Sequence, residues 1–357
     1  MNQNLLPSTL ELLQSLVRIP AKSREEDTRA DFLQHYLEQA SLDIHRVGNN
    51  LWCYAWQPDA SLPTLLLNSH IDTVPASDSW TRPPFEPTIE NGRLYGLGSN
   101  DAGAPLCSLV STFLALRDAY AQGKHQSYNL VLGLSCQEEV TGEGGIDLLL
   151  KDMPLIDLAI VGEPTSMRVA VAEKGLLVLD CCAYGRSGHA AHNLGDNAIY
   201  KAIKDIQWFE RTTLPKVSPL LGPVKMTVTI INAGSKHNVI PDTCRFTVDV
   251  RVNECYSNRE LCDYIASQVA CEVKARSYRL SSSGIDLKHP LVQRCREMGM
   301  DLYGSPTLSD QSRMPFPSVK LGPGDSMRSH TADEYVCIEE IEQALDLYYR
   351  LLDGFIF

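Results

Sequence analysis

The chain has no apolar run long enough to cross a bilayer, which argues against a helical membrane span. Its opening residues, Met1-Asn2-Gln3-Asn4, show neither the basic start nor the apolar stretch of a secretory signal, so a cytoplasmic protein is expected. The 11 cysteines form no C-x-x-C pair and follow no regular spacing. Cys53, Cys136 and Cys181 lie inside apolar runs, which suits small buried thiols better than a disulfide framework. Positive charge is scarce. With 32 Lys and Arg against 44 Asp and Glu, the net charge is −12, which argues against nucleic acid or an anionic membrane as partner. There is no internal repeat and no low-complexity tract. What is present is a soluble globular composition, 44% hydrophobic and 21% charged, over 357 residues, a length that suits two domains.

Ser8-Thr9-Leu10-Glu11 and Ser23-Arg24-Glu25-Glu26 read as capping boxes opening helices. Buried strands are expected over 64–69, 129–135 and 157–162, with a helix over 103–120. This β…α…β alternation predicts an α/β fold, a mostly parallel central sheet between helical layers, with the reactive crevice beyond the carboxyl ends of the strands. After Lys174-Gly175 the pattern changes. Strand 176–184, helix 195–211, strands 224–232 and 243–252, helix 257–269 and strand 271–280 spell β-α-β-β-α-β, a ferredoxin-like plan. The pattern reads as one domain of residues 1–172 and 282–357, interrupted by an inserted domain of residues 173–281.

Five scattered segments put a metal-ligand side chain close behind an apolar run: His70-Ile71-Asp72, Asn100-Asp101, Glu138-Glu139, Gly162-Glu163-Pro164 and Ser329-His330. Each has an ordinary alternative. Asp101 suits a helix N-cap, and His330 before Thr331-Ala332-Asp333-Glu334 suits a helix start. His70 and Asp72, two apart on extended chain, point the same way, so Asp72 can accept from the imidazole nitrogen that does not face a metal. Adjacent Glu138 and Glu139 repel each other unless a cation is near. Glu163 at a strand end is costly if buried unpaired. Together the segments offer two imidazoles and a carboxylate set whose charge two Zn²⁺ would balance, with one carboxylate bridging. A glutamate beside a ligand is then free to act as a base, and that inventory suits amide hydrolysis at neutral pH.

On these motifs the sequence resembles the co-catalytic zinc amidohydrolases of the acetylornithine deacetylase and succinyl-diaminopimelate desuccinylase type, along nearly its whole length. The resemblance implies that His70, Asp101 and Glu163 hold one zinc, and that Asp101, Glu139 and His330 hold the other, with Co²⁺ a possible substitute. It makes Glu138 the general base and Asp72 the residue that orients His70. It also makes the domain of residues 1–172 and 282–357 catalytic and the inserted residues 173–281 a lid and dimerisation domain. The chain departs from the family at Leu97, where Arg is frequent, and at Ala102-Gly103-Ala104, where Met-Lys-Gly is frequent; no ligand is affected.

In the lid, the resemblance gives His189 an oxyanion-binding role in a partner subunit's site, with His192 outside the motif. Asn238, in Asn238-Val239-Ile240-Pro241, and Arg251 are implied to bind substrate, the Arg251 fork suiting an α-carboxylate. Ser309-Asp310 and Gly322-Pro323-Gly324 resemble the remaining pocket loops. The expected substrate is a small N-acyl amino acid, with N-acetylornithine and arginine biosynthesis leading, and N-acetylcitrulline or N-succinylornithine next. A succinyl group would call for a further cation from Lys174, Arg186 or Lys236. Succinyl-diaminopimelate, peptides and a non-catalytic metal scaffold are the alternatives. A homodimer is expected through the lid's unpaired sheet edge.

Overall fold

The computed structural model describes residues 5–192 and 194–357. Thr64–His70, Asn129–Ser135 and Leu158–Val161 are strands buried at every position, because helices cover both faces of their sheet. Leu65, Leu66 and Leu67 are each fully buried, so consecutive residues contribute to opposite faces, at about 1.5–3 kcal/mol apiece. The three strands pair in parallel, Leu67 opposite Leu132 on one side and Ile160 on the other. Ser318–Lys320 extends the parallel set beside Leu158–Val161, and Asn50–Tyr54 adds an antiparallel strand beside Asn129–Ser135. The expected α/β fold is the one observed, and the strand ends at His70, Ser135 and Val161 come out on one rim.

Two layers of helix close this sheet. Ala104–Ala121 is buried along most of its first ten residues, and Ile341, Ala344, Leu345 and Tyr348 of the helix Ile338–Leu352 join the same core. The first helix spans Leu6–Arg18 and buries Leu12, Leu13, Leu16 and Val17. It starts earlier than the capping-box reading of Ser8–Glu11 placed it. Pro7 supplies the first turn, and the Ser8 and Thr9 hydroxyls donate to the Leu5 carbonyl instead of capping.

The chain divides into two compact units. One holds residues 5–171, 285–303 and 309–357, and the other holds residues 172–284 (Asn193 outside the described residues) and 304–308. Residues 304–308 thus group with the smaller unit, although the sequence reading assigned them to the larger. In the smaller unit the strands run Lys225–Ala233, Thr243–Val252, Gly175–Tyr184 and Glu272–Ala275 across an antiparallel sheet. Helices Ala198–Arg211 and Asn258–Gln268 cover one face, burying Leu177, Leu179, Phe246, Val248 and Val250. The last strand ends at Ala275 rather than continuing to 280. Past it, the Asn258 side-chain amide donates to the carbonyls of Tyr278 (3.2 Å) and Leu280 (2.8 Å), and Leu280 keeps one backbone bond to the first lid strand, from the Leu176 N–H (3.0 Å).

Candidate metal centre

His70 ends its strand with the ring buried, 3% of the residue exposed. Its Nε2 lies 3.2 Å from Asp101 Oδ1 and 3.9 Å from Glu163 Oε1. His330 Nε2 lies 2.9 Å from Glu139 Oε2 and 3.7 Å from Asp101 Oδ2. Asp101 therefore turns one carboxylate oxygen toward each histidine. One donor atom each from His70, Asp101 and Glu139 falls within a 4.8 Å set, close enough to share an ion. All five candidate ligands are brought together, in two groups that meet at Asp101.

Buried backbone and polar contacts hold these side chains. Gly98 has φ +74°, and a Cβ there would meet the Thr73 side chain at 2.5 Å, so only glycine suits this turn into Asn100-Asp101. Glu334, 2% exposed, accepts from the N–H groups of Gly98 (3.1 Å), Asn100 (2.8 Å) and Asp101 (2.9 Å). Asn100 in turn binds the backbone of Asp325 and lies 3.4 Å from the Ser329 hydroxyl, tying the His330 loop to the Asp101 turn. The helix after Asp101 begins at Ala104 without a side-chain cap, so Asp101 does not serve the capping role. His330 starts no helix either. It follows a short 3₁₀ turn, Ser326–Arg328, and has φ +60°.

Asp72 meets His70 on the ring's Nδ1 side, through its backbone more closely than through its carboxylate. The nearer acceptor for His70 Nδ1 is the Asp72 backbone carbonyl at 2.9 Å, with the carboxylate Oδ1 at 3.5 Å. The carboxylate is occupied by three donors: the Ser23 hydroxyl (2.7 Å), the Glu138 N–H (3.1 Å) and the Glu139 N–H (3.2 Å). Asp72 thus orders the turn that presents both glutamates. Ser23 and Glu26 are spent there too, which is why their expected capping box is absent. Buried Glu26 accepts from the N–H groups of Arg24 (2.6 Å) and Gln137 (3.2 Å), and the helix starts uncapped at Asp27.

The remaining loops also support the carboxylates. A Cβ on Gly322 would come within 2.5 Å of the Glu163 carbonyl, and the N–H groups of Thr165 and Met167 donate to the Gly322 carbonyl. Ser309 caps the turn Asp310–Arg313, and the Ser135 hydroxyl donates to Asp310. Asp310 belongs to a loop that the resemblance places at the pocket, whereas Glu334 and Glu26 are absent from the site residues read from sequence. Their signal is burial of a charged group, which local pattern does not carry.

Electrostatics in the cluster follow from crowding of carboxylates. Burial drives the Glu138 carboxyl well above its usual range, with Glu163, Asp310 and Glu139 adding to the rise and His70 opposing it. Burial and Asp101 push Glu163 up to about 8. Glu139 raises His330 to about 9. Burial works against a charged His70, yet hydrogen bonds with Asp101 and Asp72 hold its pKa well above normal. Two imidazoles with oxygen donors from three carboxylates form a donor set that fits Zn²⁺, and cationic charge is what this cluster calls for.

The lid candidates sit in the smaller unit. His189 is exposed on the two-residue strand Gly188–His189, which pairs with Val239–Ile240, and the Ala190 N–H donates to the Asn238 carbonyl. Asn238 is exposed as well. Arg251 is part-buried, and its guanidinium already grips Asp249 through Nε (2.8 Å) and Nη2 (3.1 Å). The His192 N–H donates to the His189 carbonyl at 2.9 Å.

The sequence profile of peptidase family M20/M25/M40 matches residues 66–354. This chain belongs to that family. It is a hydrolase of amide bonds. It is 28% identical to a succinyl-diaminopimelate desuccinylase of Cereibacter sphaeroides, over 96% of this chain and 98% of the relative. A tripeptidase of Staphylococcus aureus superposes with a TM-score of 0.78 at 20% identity, covering 98% of each chain. A dinuclear metal-binding M20 peptidase of Bacillus subtilis superposes at 0.72 and 15% identity, covering 99% of this chain and 98% of the other. The two structural likenesses establish the fold, including the lid-bearing architecture.

Proposed function

We propose that the chain is a di-zinc amidohydrolase that removes the acyl group from a small N-acyl amino acid. The reading rests chiefly on Asp101, one oxygen facing each histidine, with Glu138 beside but not among the five ligands. His70, Asp101 and Glu163 would hold one Zn²⁺, and Asp101, Glu139 and His330 the other, with Co²⁺ able to replace either. When bound, the metals supply Lewis acidity and make water a nucleophile at neutral pH. Glu138 takes the proton from the attacking water and returns it to the departing amine. Its burial suits that exchange, because a carboxyl held above its usual range keeps a proton more readily than a solvated glutamate does. His189 stabilises the oxyanion, and Arg251 and Asn238 bind the amino-acid part of the substrate. Neither nucleic acid nor membrane has a part in this reading.

The relatives bear on the acyl group. N-acetylornithine is the reading from sequence, and the desuccinylase likeness favours a succinyl group on ornithine or diaminopimelate. Of the cations weighed for a succinyl carboxylate, Lys174 donates to the Pro223 carbonyl (2.7 Å), whereas Arg186 and Lys236 are exposed. The test is product analysis with zinc- and cobalt-loaded protein on N-acetyl- and N-succinylornithine, N-acetylcitrulline, N-succinyl-diaminopimelate, dipeptides and tripeptides. Cleavage of peptides alone would replace this reading with a peptidase. No cleavage by fully loaded protein would leave a metal-binding scaffold.

The working unit in this reading is a homodimer joined through the lid. Lys225–Ala233 is an end strand of the lid sheet, with Ile230 and Ile231 about half exposed, and its free edge suits pairing with a second copy. An inactive His189→Ala chain mixed with an inactive Glu138→Ala chain then regains activity, up to about half the wild-type value per heterodimer. Full activity from a monomer, or no recovery after demonstrated subunit exchange, overturns the shared site.

A further inference from the structure

A second concave site lies wholly within the smaller unit, on the sheet face that its helices leave open. Two rungs of the ladder define it. Asn232, Arg245, Cys182 and Glu272 stand opposite one another across four strands, and Ile230, Thr247, Asp180 and Lys274 form the next rung of the same face. With Arg276 these residues line a cavity of about 590 Å³, a volume in the range of small-molecule sites. Cys182 and Thr247 form the floor, 5% and 9% exposed, and Ile230 adds an apolar wall.

Charge in the cavity is opposite to that of the chain. Three cations face two carboxylates, in a protein whose net charge is −12. Both carboxylates are already engaged. Asp180 takes both Nε and Nη2 of Arg276 at 2.9 Å and the Thr247 hydroxyl at 3.1 Å, and Glu272 takes the Tyr184 hydroxyl at 2.6 Å. The side chains of Arg245 and Lys274 are exposed and line the cavity; among the described residues neither makes a hydrogen bond or an ion pair within 4.0 Å, although Lys274, opposite Asp180, helps hold that carboxyl low. They rise from strands two places apart, roughly 10 Å at strand spacing, with the Cys182 strand between them.

We propose that this trough binds a small aliphatic dicarboxylate, one carboxylate on the Arg245 fork, the other on Lys274, and the short methylene chain over Cys182 against Ile230. A planar two-pronged donor matches a carboxylate, and the separation of the two cations selects a ligand charged at both ends. The site uses none of the residues assigned to the metal centre or to substrate binding.

Titration calorimetry on the metal-loaded full-length protein tests this, with succinate and glutarate as probes and butyrate and inorganic phosphate as controls. One dicarboxylate should bind per chain at low salt, at least tenfold tighter than butyrate or phosphate, and more weakly as salt rises. The Arg245→Gln/Lys274→Gln double variant should lose at least tenfold in affinity while keeping its melting temperature, since both side chains are exposed. An unchanged dissociation constant in the double variant would put the bound dicarboxylate elsewhere, the metals included, and overturn the site. Equal binding of phosphate or butyrate overturns the ligand class. No heat at 20 mM of either probe (about the weakest affinity of interest, near 2 kcal/mol) overturns the proposal altogether.

Discussion

The two units treat their candidate functional side chains in opposite ways. In the larger unit all the candidates but His330, which is exposed, stand at a buried strand end or on a turn whose backbone N–H groups are claimed by a buried carboxylate: Glu334 for Asp101, and Asp72 for Glu138 and Glu139. In the smaller unit His189 and Asn238 are exposed, on and beside a two-strand ribbon, and among the described residues the Arg251 guanidinium is held by Asp249, two residues away on its own strand. The contrast separates two jobs. In the proposed reaction, the groups that hold metal and move protons are mostly fixed before substrate arrives, because misplacement by about 1 Å is costly. Groups that recognise a substrate's far end can be held loosely until it binds.

The largest effect expected from this contrast is at Glu138. Glu138→Gln should lower kcat roughly 10²–10⁴-fold, the contribution of a positioned general base, while metal analysis still finds two ions per chain. Loss of an ion in that variant makes Glu138 a ligand and removes the base from the scheme.

Next comes Glu334, the test of prior fixation. Glu334→Ala leaves three buried N–H groups without their acceptor and should cost roughly 2–4 kcal/mol in chemical denaturation, with a matching fall in activity. Glu334→Gln keeps an acceptor and should recover part of both. Wild-type activity in Glu334→Ala would show that the Asp101 turn needs no such clamp.

Arg251→Ala should act on function and spare the fold. We expect KM to rise and kcat to fall, together about 10–100-fold in kcat/KM, with an unchanged denaturation midpoint. A stability loss with wild-type kinetics would instead make the Arg251–Asp249 pair a structural feature of the strand.

The smallest effect lies on the lid's open face. Arg276 holds the Asp180 carboxyl below its usual 3.8, so the pair's contribution is present above that value and is lost as pH falls through the lower folded-state pKa. Both side chains are half exposed, and solvent screening limits the effect of Asp180→Asn to under about 1 kcal/mol at neutral pH, vanishing in acid. Melting curves of the two proteins at pH 7 and pH 3 measure it.

What the sequence determined by itself was whatever depends on neighbours along the chain. Continuous apolar runs marked the parallel strands, the β-α-β-β-α-β order marked the smaller unit, and the acidic and histidine residues just past the apolar runs marked the rim of the sheet. Tertiary structure decided the rest. Ser23 and Glu26 look like a cap in sequence, yet the fold sets Ser23 against Asp72, 49 residues on, and Glu26 against Gln137, 111 residues on. The stretch 330–334 reads as a helix start, yet Glu334 closes the Asp101 turn from 233 positions away. Asp249 is two residues from Arg251, but only the strand's pleat and exposure show that it occupies the guanidinium. The physical reason is common to all of these. Local pattern records which residues avoid water, whereas the partner that a buried charge finds is set by which distant loops the packed sheet brings together.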